Sequence, residues 1–207
     1  MNVKNILWDF DGVILDSMLV RDWGFREIFR DFDESLVDEL ITYHRINGGL
    51  SRYVKIRYFY EEILKKSITE ERVFDYAECF SVLMKKELIN RNNLIKDSVE
   101  FIKNNFKKFN FHIVSGSDQN ELRYLCSKLE ISRFFLSING SPTPKKTLVA
   151  NLLKEYDYNR DNTILIGDSM NDFEASEDNS ISFYGYNNRE LKKVSTQYLN
   201  NFHNFLK

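Results

Sequence analysis

The chain has 207 residues, of which 43% are hydrophobic and 29% charged, the balance of a soluble globular protein with a substantial core. A net charge of −2 gives no basis for a nucleic-acid or anionic-membrane partner, and no apolar run approaches the ~20 residues of a membrane span. The N-terminus lacks the pattern of a secretory signal. Cys79 and Cys126 have neither zinc nor disulfide spacing, so we expect two buried thiols in a cytoplasmic protein.

The first predicted element is a short buried strand, from Val3 to Asp9, which leads into Asp9-Phe10-Asp11-Gly12. Successive strand residues point to opposite faces, so Asp9 and Asp11 share a side, and Gly12 lets the backbone leave the strand sharply. Because an unpaired buried carboxylate is costly, the two carboxylates indicate a cation beside them. Taken alone, the stretch also fits a solvated turn or a helix cap.

A helical pattern covers residues 17–92, with breaks near Phe32-Asp33, at Asn47-Gly48-Gly49 and at Ser67-Ile68-Thr69. Asp33 and Thr69 place side-chain oxygens where helix starts favour them. No convincing strand interrupts this block. We therefore expect an inserted all-helical domain at 17–92, with residues 1–16 and 93–207 forming the other domain.

After residue 92 the pattern alternates between helices and strands. Strands that alternate with helices indicate βα units and a parallel sheet flanked by helices, so the predicted fold class is α/β. In open parallel sheets, ligands bind outside the carboxyl ends of the strands. The predicted helices are 95–108, 119–130, 146–156, 171–177 and a last one near 200–207, and the predicted strands are 109–115, 134–138, 163–166 and 180–184.

Three of these later strand ends carry polar groups. Ser115-Gly116-Ser117 opens a predicted helix, so its hydroxyl and N–H groups suit an anion, although Ser115 also fits an ordinary helix cap. Pro142-Thr143-Pro144 stiffens the approach to Lys145-Lys146, which are either solvated or directed inward. Gly167-Asp168-Ser169-Met170-Asn171-Asp172 places two carboxylates near a helix start, where they can also act as caps.

Together, these groups suit phosphoryl transfer. Asp9, Asp11 and Asp168 make a hard oxygen site of the kind that Mg²⁺ uses together with water and phosphate. Metal and lysine offset the repulsion between a carboxylate and a phosphoryl group, which lets the carboxylate attack and form an aspartyl phosphate. A second carboxyl group can protonate the leaving oxygen and later activate water.

The four motifs, in this order, resemble those of the haloacid dehalogenase superfamily from residue 4 to about 185. Four motifs that each follow a strand are far more specific than any one of them. The block at 17–92 resembles the small helical cap of the phosphoglycolate phosphatase and β-phosphoglucomutase branch. The resemblance implies a Rossmann-like core over which this cap closes. The motifs are Asp-Phe-Asp-Gly-Val-Ile-Leu-Asp-Ser from Asp9, Ser115 after a strand, Lys145 after Pro142-Thr143-Pro144, and Gly167-Asp168 through Asp172.

The resemblance implies separate roles for the first two carboxylates. Asp9 matches the nucleophile, which also binds the metal. Asp11 matches the general acid/base, which gives a backbone carbonyl to Mg²⁺. Dehalogenases lack an aspartate at the position of Asp11, because a halide leaving group needs no proton whereas an alkoxide does. The resemblance therefore implies phosphate-ester chemistry.

The remaining motifs imply the rest of the site. Asp168 matches a protein ligand of the metal, and Asp172 matches an acidic position that supports the metal's waters. Ser115 matches the phosphate-binding hydroxyl, and Lys145 matches the lysine that binds phosphate and the nucleophile. Because Lys146 follows directly, the register of the active-site lysine is open by one residue, and loop spacing favours Lys145.

The cap segment from Tyr43 to Tyr53 surrounds the Gly48-Gly49 break with cationic and aromatic side chains. It is either a solvated helix–loop–helix turn or, as in this cap class, a loop that enters the active site and selects the substrate. In the second case, its arginines favour a second anionic or hydroxyl-rich group on the substrate. The candidate substrate residues are Gly12, Gly116, Ser117, Arg45, Gly49 and Arg52.

The implied activity is a Mg²⁺-dependent phosphatase that hydrolyses a small-molecule phosphate monoester, such as a sugar phosphate or phosphoglycolate. A phosphomutase of the β-phosphoglucomutase type starts from the same aspartyl phosphate and is the alternative. A non-catalytic binding protein on the same fold is a third reading. We expect no nucleic-acid or membrane partner, and a monomer or homodimer.

Overall fold

The first strand lies at the centre of a parallel sheet. The structure is a computed structural model that describes residues 2–195 and 197–206. Within them, six strands are found: β1 Asn5–Trp8, β2 Asn110–Asp118, β3 Ser137–Ser141, β4 Thr163–Gly167, β5 Ser182–Tyr186 and β6 Tyr198–Leu199. All neighbours pair in parallel, in the order β3-β2-β1-β4-β5-β6. The predicted α/β class is therefore confirmed.

The predicted helical block contains four of the α-helices, and the other four alternate with the strands. Within the described part of the chain, no helix combines the length and the apolar character that crossing a bilayer requires. The helices are α1 Met18–Ile28, α2 Glu34–Ile46, α3 Arg52–Tyr58, α4 Glu70–Glu87, α5 Lys96–Asn105, α6 Gln119–Lys128, α7 Lys145–Glu155 and α8 Met170–Asp178.

Aromatic packing anchors both parts of the molecule. On one face of the sheet, the ring of Trp8 lies 5.4 Å from that of Phe111 and 5.4 Å from that of Phe202, so the segment around Phe202 covers β1. In the helical block, the ring of Phe29, the C-cap residue of α1, packs 4.3 Å from that of Phe59, which lies in a π-helical turn that follows α3. Burial of side chains this large dominates the stability of a core.

Local capping explains two of the three predicted breaks in the helical block. The side chain of Asp33 accepts a hydrogen bond from the backbone N–H of Ser35 at the start of α2. Thr69 accepts from the N–H of Arg72 at the start of α4. Both predicted caps are therefore confirmed, and no strand is found among residues 17–92.

Two predicted strands begin later than expected. Residues 132–134 form a 3₁₀ turn that buries Phe134, so β3 begins at Ser137 instead of residue 134. Ser180 has a left-handed φ of 54°, which delays β5 to Ser182. The expectation for the cysteines is half right, because Cys126 is buried whereas Cys79 is exposed on α4.

The helix expected near residues 200–207 is wrong. Tyr198–Leu199 instead adds a sixth strand beside β5, and residues 200–206 form turns, while residue 207 lies outside the described residues. The backbone N–H of Phe202 donates to the carboxylate of Asp97 on α5, at 3.2 Å from each oxygen. Phe202 and Phe205 then pack into the core. Long-range packing of these aromatic side chains overrides the local helical preference.

Candidate active site

The end of β1 places Asp9 in the interior. Its backbone N–H donates to the carbonyl oxygen of Ile166 on β4 at 2.9 Å, and the residue is 3% exposed. Gly12 adopts a left-handed φ of 77°. A Cβ atom at Gly12 would lie 2.0 Å from Oδ2 of Asp168, so any side chain would displace that carboxylate. This glycine allows the first and fourth strand ends to meet.

Lys145 is the first residue of α7, directly after Pro144 at the N-cap. Its Nζ lies 2.9 Å from Oδ1 of Asp9 and also bonds Oδ1 of Asp172, and its side chain is fully buried. Lys146, by contrast, has a side chain that is 64% exposed near Asp178. The structure thus brings Lys145, and not Lys146, to the candidate nucleophile.

Asp9, Asp168 and Asp172 form a carboxylate cluster in which one oxygen of each lies within 4.8 Å of the others. Burial, together with the charge of Asp172, raises the pKa of Asp9 to about 7, although Lys145 acts in the opposite direction. Burial and the charge of Asp9 also raise the pKa of Asp168 well above its usual value. Like charges held this close disfavour the ionised state of Asp9 and of Asp168 as long as no cation offsets them.

The carboxylate cluster fits a divalent cation. Among the described residues, Lys145 is the one cation that forms an ion pair with its carboxylates. Three ionised carboxylates and one ammonium leave two negative charges without compensation. A hard divalent cation such as Mg²⁺ matches both this charge and the all-oxygen donor set.

Asp172 is held from two sides. Its Oδ2 accepts hydrogen bonds from the backbone N–H of Ser169 at 3.0 Å and from the Ser169 hydroxyl at 2.6 Å. The Ser169 side chain in turn accepts from the N–H of Asp172, which completes a capping box at the start of α8. Lys145 bonds the other oxygen. Asp172 therefore positions both Lys145 and α8, and its support of a metal's waters stays a prediction.

The second strand end differs from its prediction. β2 continues through residues 115–117 to Asp118, whose carboxylate accepts from two N–H groups at the start of α6. α6 begins at Gln119, as the sequence predicts, but Ser115 neither opens nor caps it, because Asp118 three residues later is the stronger acceptor and caps the helix. The Ser115 hydroxyl accepts from the N–H of Ser117 at 3.1 Å, and Ser115 lines the same cavity as Asp9.

The carboxylate of Asp11 lies apart from the carboxylate cluster and faces α1. Nε of Arg21 donates to its Oδ1 at 2.7 Å, and the hydroxyls of Ser17 and Ser117 donate to its two oxygens. Burial acts to raise the pKa of Asp11, but Arg21 and the two hydroxyls outweigh burial and lower it. The structure holds Asp11 as an ionised acceptor, and a metal contact through its backbone carbonyl stays a prediction.

Arg21 and Arg52 connect the helical block to α6 of the α/β part. Nη1 of Arg21 lies 3.2 Å from Oε1 of Glu121, and Nη1 of Arg52 lies 2.6 Å from Oε2 of the same carboxylate. Glu121 is fully buried. Nη2 of Arg21 also donates to the hydroxyl of Ser117 at 2.8 Å. These bonds hold the helical block against the strand ends.

The loop between α2 and α3 covers the strand ends that carry the site. A Cβ atom at Gly116 would lie 2.2 Å from the carbonyl oxygen of Gly49, and one at Gly49 would lie 2.6 Å from the hydroxyl of Ser169. The cavity left between this loop and the strand ends has a volume of about 30 Å³, room for one or two water molecules. Substrate binding therefore requires the loop to move.

The two candidate substrate arginines have different positions. Arg52 is 4% exposed and lines the cavity with Gly49, Gly116 and Ser117. The side chain of Arg45 is 58% exposed and does not line the cavity, because Asp22 binds its guanidinium at 2.7 and 2.9 Å. Arg45 thus lies outside the cavity, and its contact with substrate stays a prediction.

The order of the strand ends and their side chains has a match among known families. The sequence profile described as haloacid dehalogenase-like hydrolase matches residues 6–186. The chain belongs to the haloacid dehalogenase-like hydrolase family. No curated protein matches its sequence.

Solved structures of haloacid dehalogenase-like and related proteins share the fold at low identity. A β-phosphoglucomutase from Clostridium difficile superposes with a TM-score of 0.75 at 21% identity, covering 99% of this chain and 93% of that one. The hydrolase YfnB from Bacillus subtilis, bound to magnesium, gives 0.72 at 16%, covering 97% and 96%. A predicted phosphoglycolate phosphatase from Haemophilus somnus gives 0.72 at 14%, covering 98% and 96%.

Three residues of this haloacid dehalogenase-like site were not predicted from the sequence. His44, Lys55 and Glu121 are all buried, and the first two line the cavity. One available signal was the spacing of Arg52 and Lys55, which puts both on one face of a helix. Glu121 gave no signal, since an acidic residue in the first turn of a helix usually favours the helix dipole.

Proposed function

We propose that this hydrolase is a Mg²⁺-dependent phosphatase that acts on a small phosphate monoester of the cytoplasm, such as a sugar phosphate or phosphoglycolate. The observation that carries the proposal is the position of Asp9. Its carboxylate is buried at a small cavity, contacts Lys145 at 2.9 Å and belongs to the carboxylate cluster, which fits a divalent cation. These are the surroundings in which a carboxylate can attack a phosphoryl group.

The first half-reaction transfers the phosphoryl group to Asp9. The bond between phosphorus and the ester oxygen breaks as a carboxylate oxygen of Asp9 bonds to phosphorus. Lys145 offsets the charge on both the nucleophile and the phosphoryl oxygens, and the Ser115 hydroxyl can donate to one of these oxygens. A bound Mg²⁺ would supply further charge neutralisation at the phosphoryl group.

Asp11 is the proposed proton carrier. It follows Asp9 by two residues and lines the same cavity. In its protonated form it would give a proton to the leaving alkoxide in the first half-reaction, and in the ionised form that the structure holds it would take one from water in the second. Arg21, Ser17 and Ser117 hold its carboxylate in place, so its orientation depends on α1.

The helical block is proposed to act as a cap domain, residues 17–92, over a core of residues 1–16 and 93–207. The two crossing segments support this division, because they run side by side. The N–H of Asp16 donates to the carbonyl oxygen of Asn93 at 2.8 Å, and that of Ile95 to Ile14 at 2.9 Å. Two connecting segments that are hydrogen-bonded to each other in this way are a suitable hinge.

The test is phosphate release from a panel of sugar phosphates, nucleotides and short phospho-acids, with Mg²⁺ and with a chelator. We expect turnover that the chelator abolishes and that Asp9→Asn removes without loss of the fold. Lys145→Met should also be inactive, whereas its matched control, Lys146→Met, should keep wild-type activity because that side chain is exposed. Equal loss in both lysine variants would contradict the assignment.

The alternative functions give different results in the same test. Conversion of a sugar phosphate to its isomer without release of phosphate would identify a phosphomutase. No turnover of any monoester with Mg²⁺ present would instead favour a non-catalytic binding protein.

A further inference from the structure

Glu121 on α6 carries a fully buried carboxylate that the proposed reaction does not use. The helix does not need this carboxylate at its start, because Asp118 already accepts hydrogen bonds from the N–H groups of Asn120 and Glu121, at 3.0 Å each. A buried carboxylate is costly unless a positive group is paired with it. The reason for Glu121 therefore lies in its partners.

Both cations that pair with Glu121 in the described part of the chain belong to the helical block proposed as the cap. Nη1 of Arg21 on α1 donates to Oε1 at 3.2 Å, and Nη1 of Arg52 on α3 lies 2.6 Å from Oε2. The second contact is an ion pair without hydrogen-bond geometry, since that nitrogen donates to the Ser81 hydroxyl at 2.7 Å. Opening of the cap would thus leave Glu121 without a counter-charge.

The guanidinium group of Arg21 donates to the core from each of its three nitrogen atoms. Nε donates to Oδ1 of Asp11 at 2.7 Å, Nη1 to Glu121, and Nη2 to the hydroxyl of Ser117 at 2.8 Å. Because the group is planar and rigid, three fixed acceptors determine its orientation. Two of these acceptors are charged, and Glu121 is the one that takes no part in the proposed reaction.

Loss of the charge at Glu121 would leave two buried cations poorly paired. Arg21 would keep Asp11 as a counter-charge. Arg52 forms its one ion pair within residues 2–195 and 197–206 with Glu121, so it would keep none. Removing one member of a buried ion pair is strongly destabilising, because the other charge stays buried. Closure of the cap would therefore become less favourable.

We propose that Glu121 is a positioning residue, which pairs with Arg21 and Arg52 as the cap closes and so holds Arg21 in the orientation that places Asp11 for proton transfer. The part that concerns Asp11 rests on the proposed phosphatase function. In that reaction Asp11 exchanges protons with the leaving group and with water, whereas Glu121 acts on it through Arg21. The part that concerns closure can be measured without turnover.

The first arm of the test is Glu121→Gln, which keeps the shape of the side chain and removes its charge. We expect kcat/KM for a turned-over alkyl phosphate to fall by about 10²-fold or more, as when one member of a buried ion pair is removed. With p-nitrophenyl phosphate, whose leaving group needs no proton, the variant should still release one equivalent of p-nitrophenol in a burst, and the steady-state rate after it should fall. A burst that shrinks by the same factor as the steady-state rate would overturn the inference.

Glu130→Gln is the matched control. It also removes the charge of a glutamate that pairs with an arginine, Arg91, but the two side chains are 68% and 59% exposed, so the variant should keep wild-type activity. If Glu121→Gln does not fold, Glu121→Asp, which keeps the charge and withdraws it by one methylene group, replaces it and should give the same pattern. Equal activity in the Glu121 and Glu130 variants would overturn the inference.

The second arm asks whether Glu121 acts through Arg21. The variants Arg21→Met and Glu121→Gln and their combination form a double-mutant cycle, with kcat/KM as the measured quantity. The loss in the double variant should be well below the product of the two single losses, because Glu121 then has no guanidinium group of Arg21 to orient. Single losses that multiply in full would overturn the inference.

A distance measurement separates failure of this inference from failure of the proposed function. One spin label is attached to Cys79, exposed on α4, and the other to Lys146→Cys, at an exposed position of α7, while Cys126 is buried. In pulsed electron paramagnetic resonance, Glu121→Gln should lose much of the closed-state distance of the wild type, whereas Glu130→Gln should keep it. If the wild type turns over no monoester, this loss still supports Glu121 as the contact that favours closure. An unchanged distance distribution in Glu121→Gln overturns the inference.

Discussion

Replacing Gly116 with alanine should disable the enzyme without unfolding it. The three heavy atoms nearest to the added Cβ all belong to the cap loop, beginning with the carbonyl oxygen of Gly49 at 2.2 Å. The loop must retreat by roughly 1 Å before this contact becomes an ordinary van der Waals one. Because Gly116 does not have a positive φ, alanine fits the backbone there, and the clash exists only while the cap is closed.

The size of the effect follows from the cost of overpacking. A forced contact of this kind costs about 1–3 kcal/mol. If the cap relieves this contact by opening, the ratio of closed to open enzyme falls by about 5- to 150-fold, and kcat/KM falls by up to the same factor when closure precedes chemistry. The melting temperature should fall by no more than about 2–4 °C, the shift that 1 kcal/mol gives in a chain of this size.

The assay combines kcat/KM for a turned-over monoester with thermal unfolding of the same preparations. Gly49→Ala should also lose kcat/KM with little change in melting temperature, because its added Cβ would lie 2.6 Å from the hydroxyl of Ser169. This is a second contact of the same loop. Gly48→Ala is the control: its nearest neighbours lie at 3.9 Å, so it should lose far less activity. Wild-type kcat/KM in Gly116→Ala, or a collapse of its melting temperature, would refute the reasoning.

Asp11→Asn should slow the hydrolysis of alkyl phosphates by about 10²- to 10⁴-fold. With p-nitrophenyl phosphate, whose leaving group needs no proton, the same variant should still release one equivalent of p-nitrophenol in a burst. A variant without the burst would contradict the role of Asp11. Saturating Mg²⁺ should raise the melting temperature by about 5–10 °C. Asp168→Asn should abolish that rise while raising the metal-free melting temperature, because it removes like-charge repulsion; a wild type indifferent to Mg²⁺ would contradict the metal site. Phe202→Ala should destabilise the fold by about 3–5 kcal/mol in denaturant titration, whereas exposed His203→Ala should have little effect; similar losses would show that the tail is not part of the core.

The parts of the site that follow strand ends could be predicted because strand order alone brings them together. Asp9, Lys145 and Asp168 each follow a buried strand or begin the helix after it, and the carboxyl ends of parallel strands share one edge. The expectation that Ser115-Gly116-Ser117 opens the next helix was wrong for a local reason, although the helix itself begins at Gln119 as predicted. Asp118 is a better cap, and only the paired strand shows how far β2 continues.

Contacts between the helical block and the core could not be predicted from local pattern. Glu121 lies 100 residues from Arg21 in sequence, and nothing near it indicates that its carboxylate binds two arginines of the cap. The prediction of a helix near residues 200–207 was wrong for the same reason, since Phe202 packs against Trp8, which lies near the other end of the chain. Periodicity identifies a face to be buried but not the element that covers it.

The two carboxylates of the first motif occupy environments that different parts of the chain control. Asp9 is surrounded by Lys145, Asp168 and Asp172, all on the core, so its surroundings persist when the cap moves. Asp11 owes its main counter-charge to Arg21 on α1, so opening the cap would remove that counter-charge and leave the hydroxyl of Ser117 on β2 as its donor from the core. In the proposed reaction, closure would thus set in place the group that handles the proton and would at the same time exclude bulk water. We therefore expect hydrolysis of the aspartyl phosphate to depend on closure more strongly than its formation from an activated aryl ester.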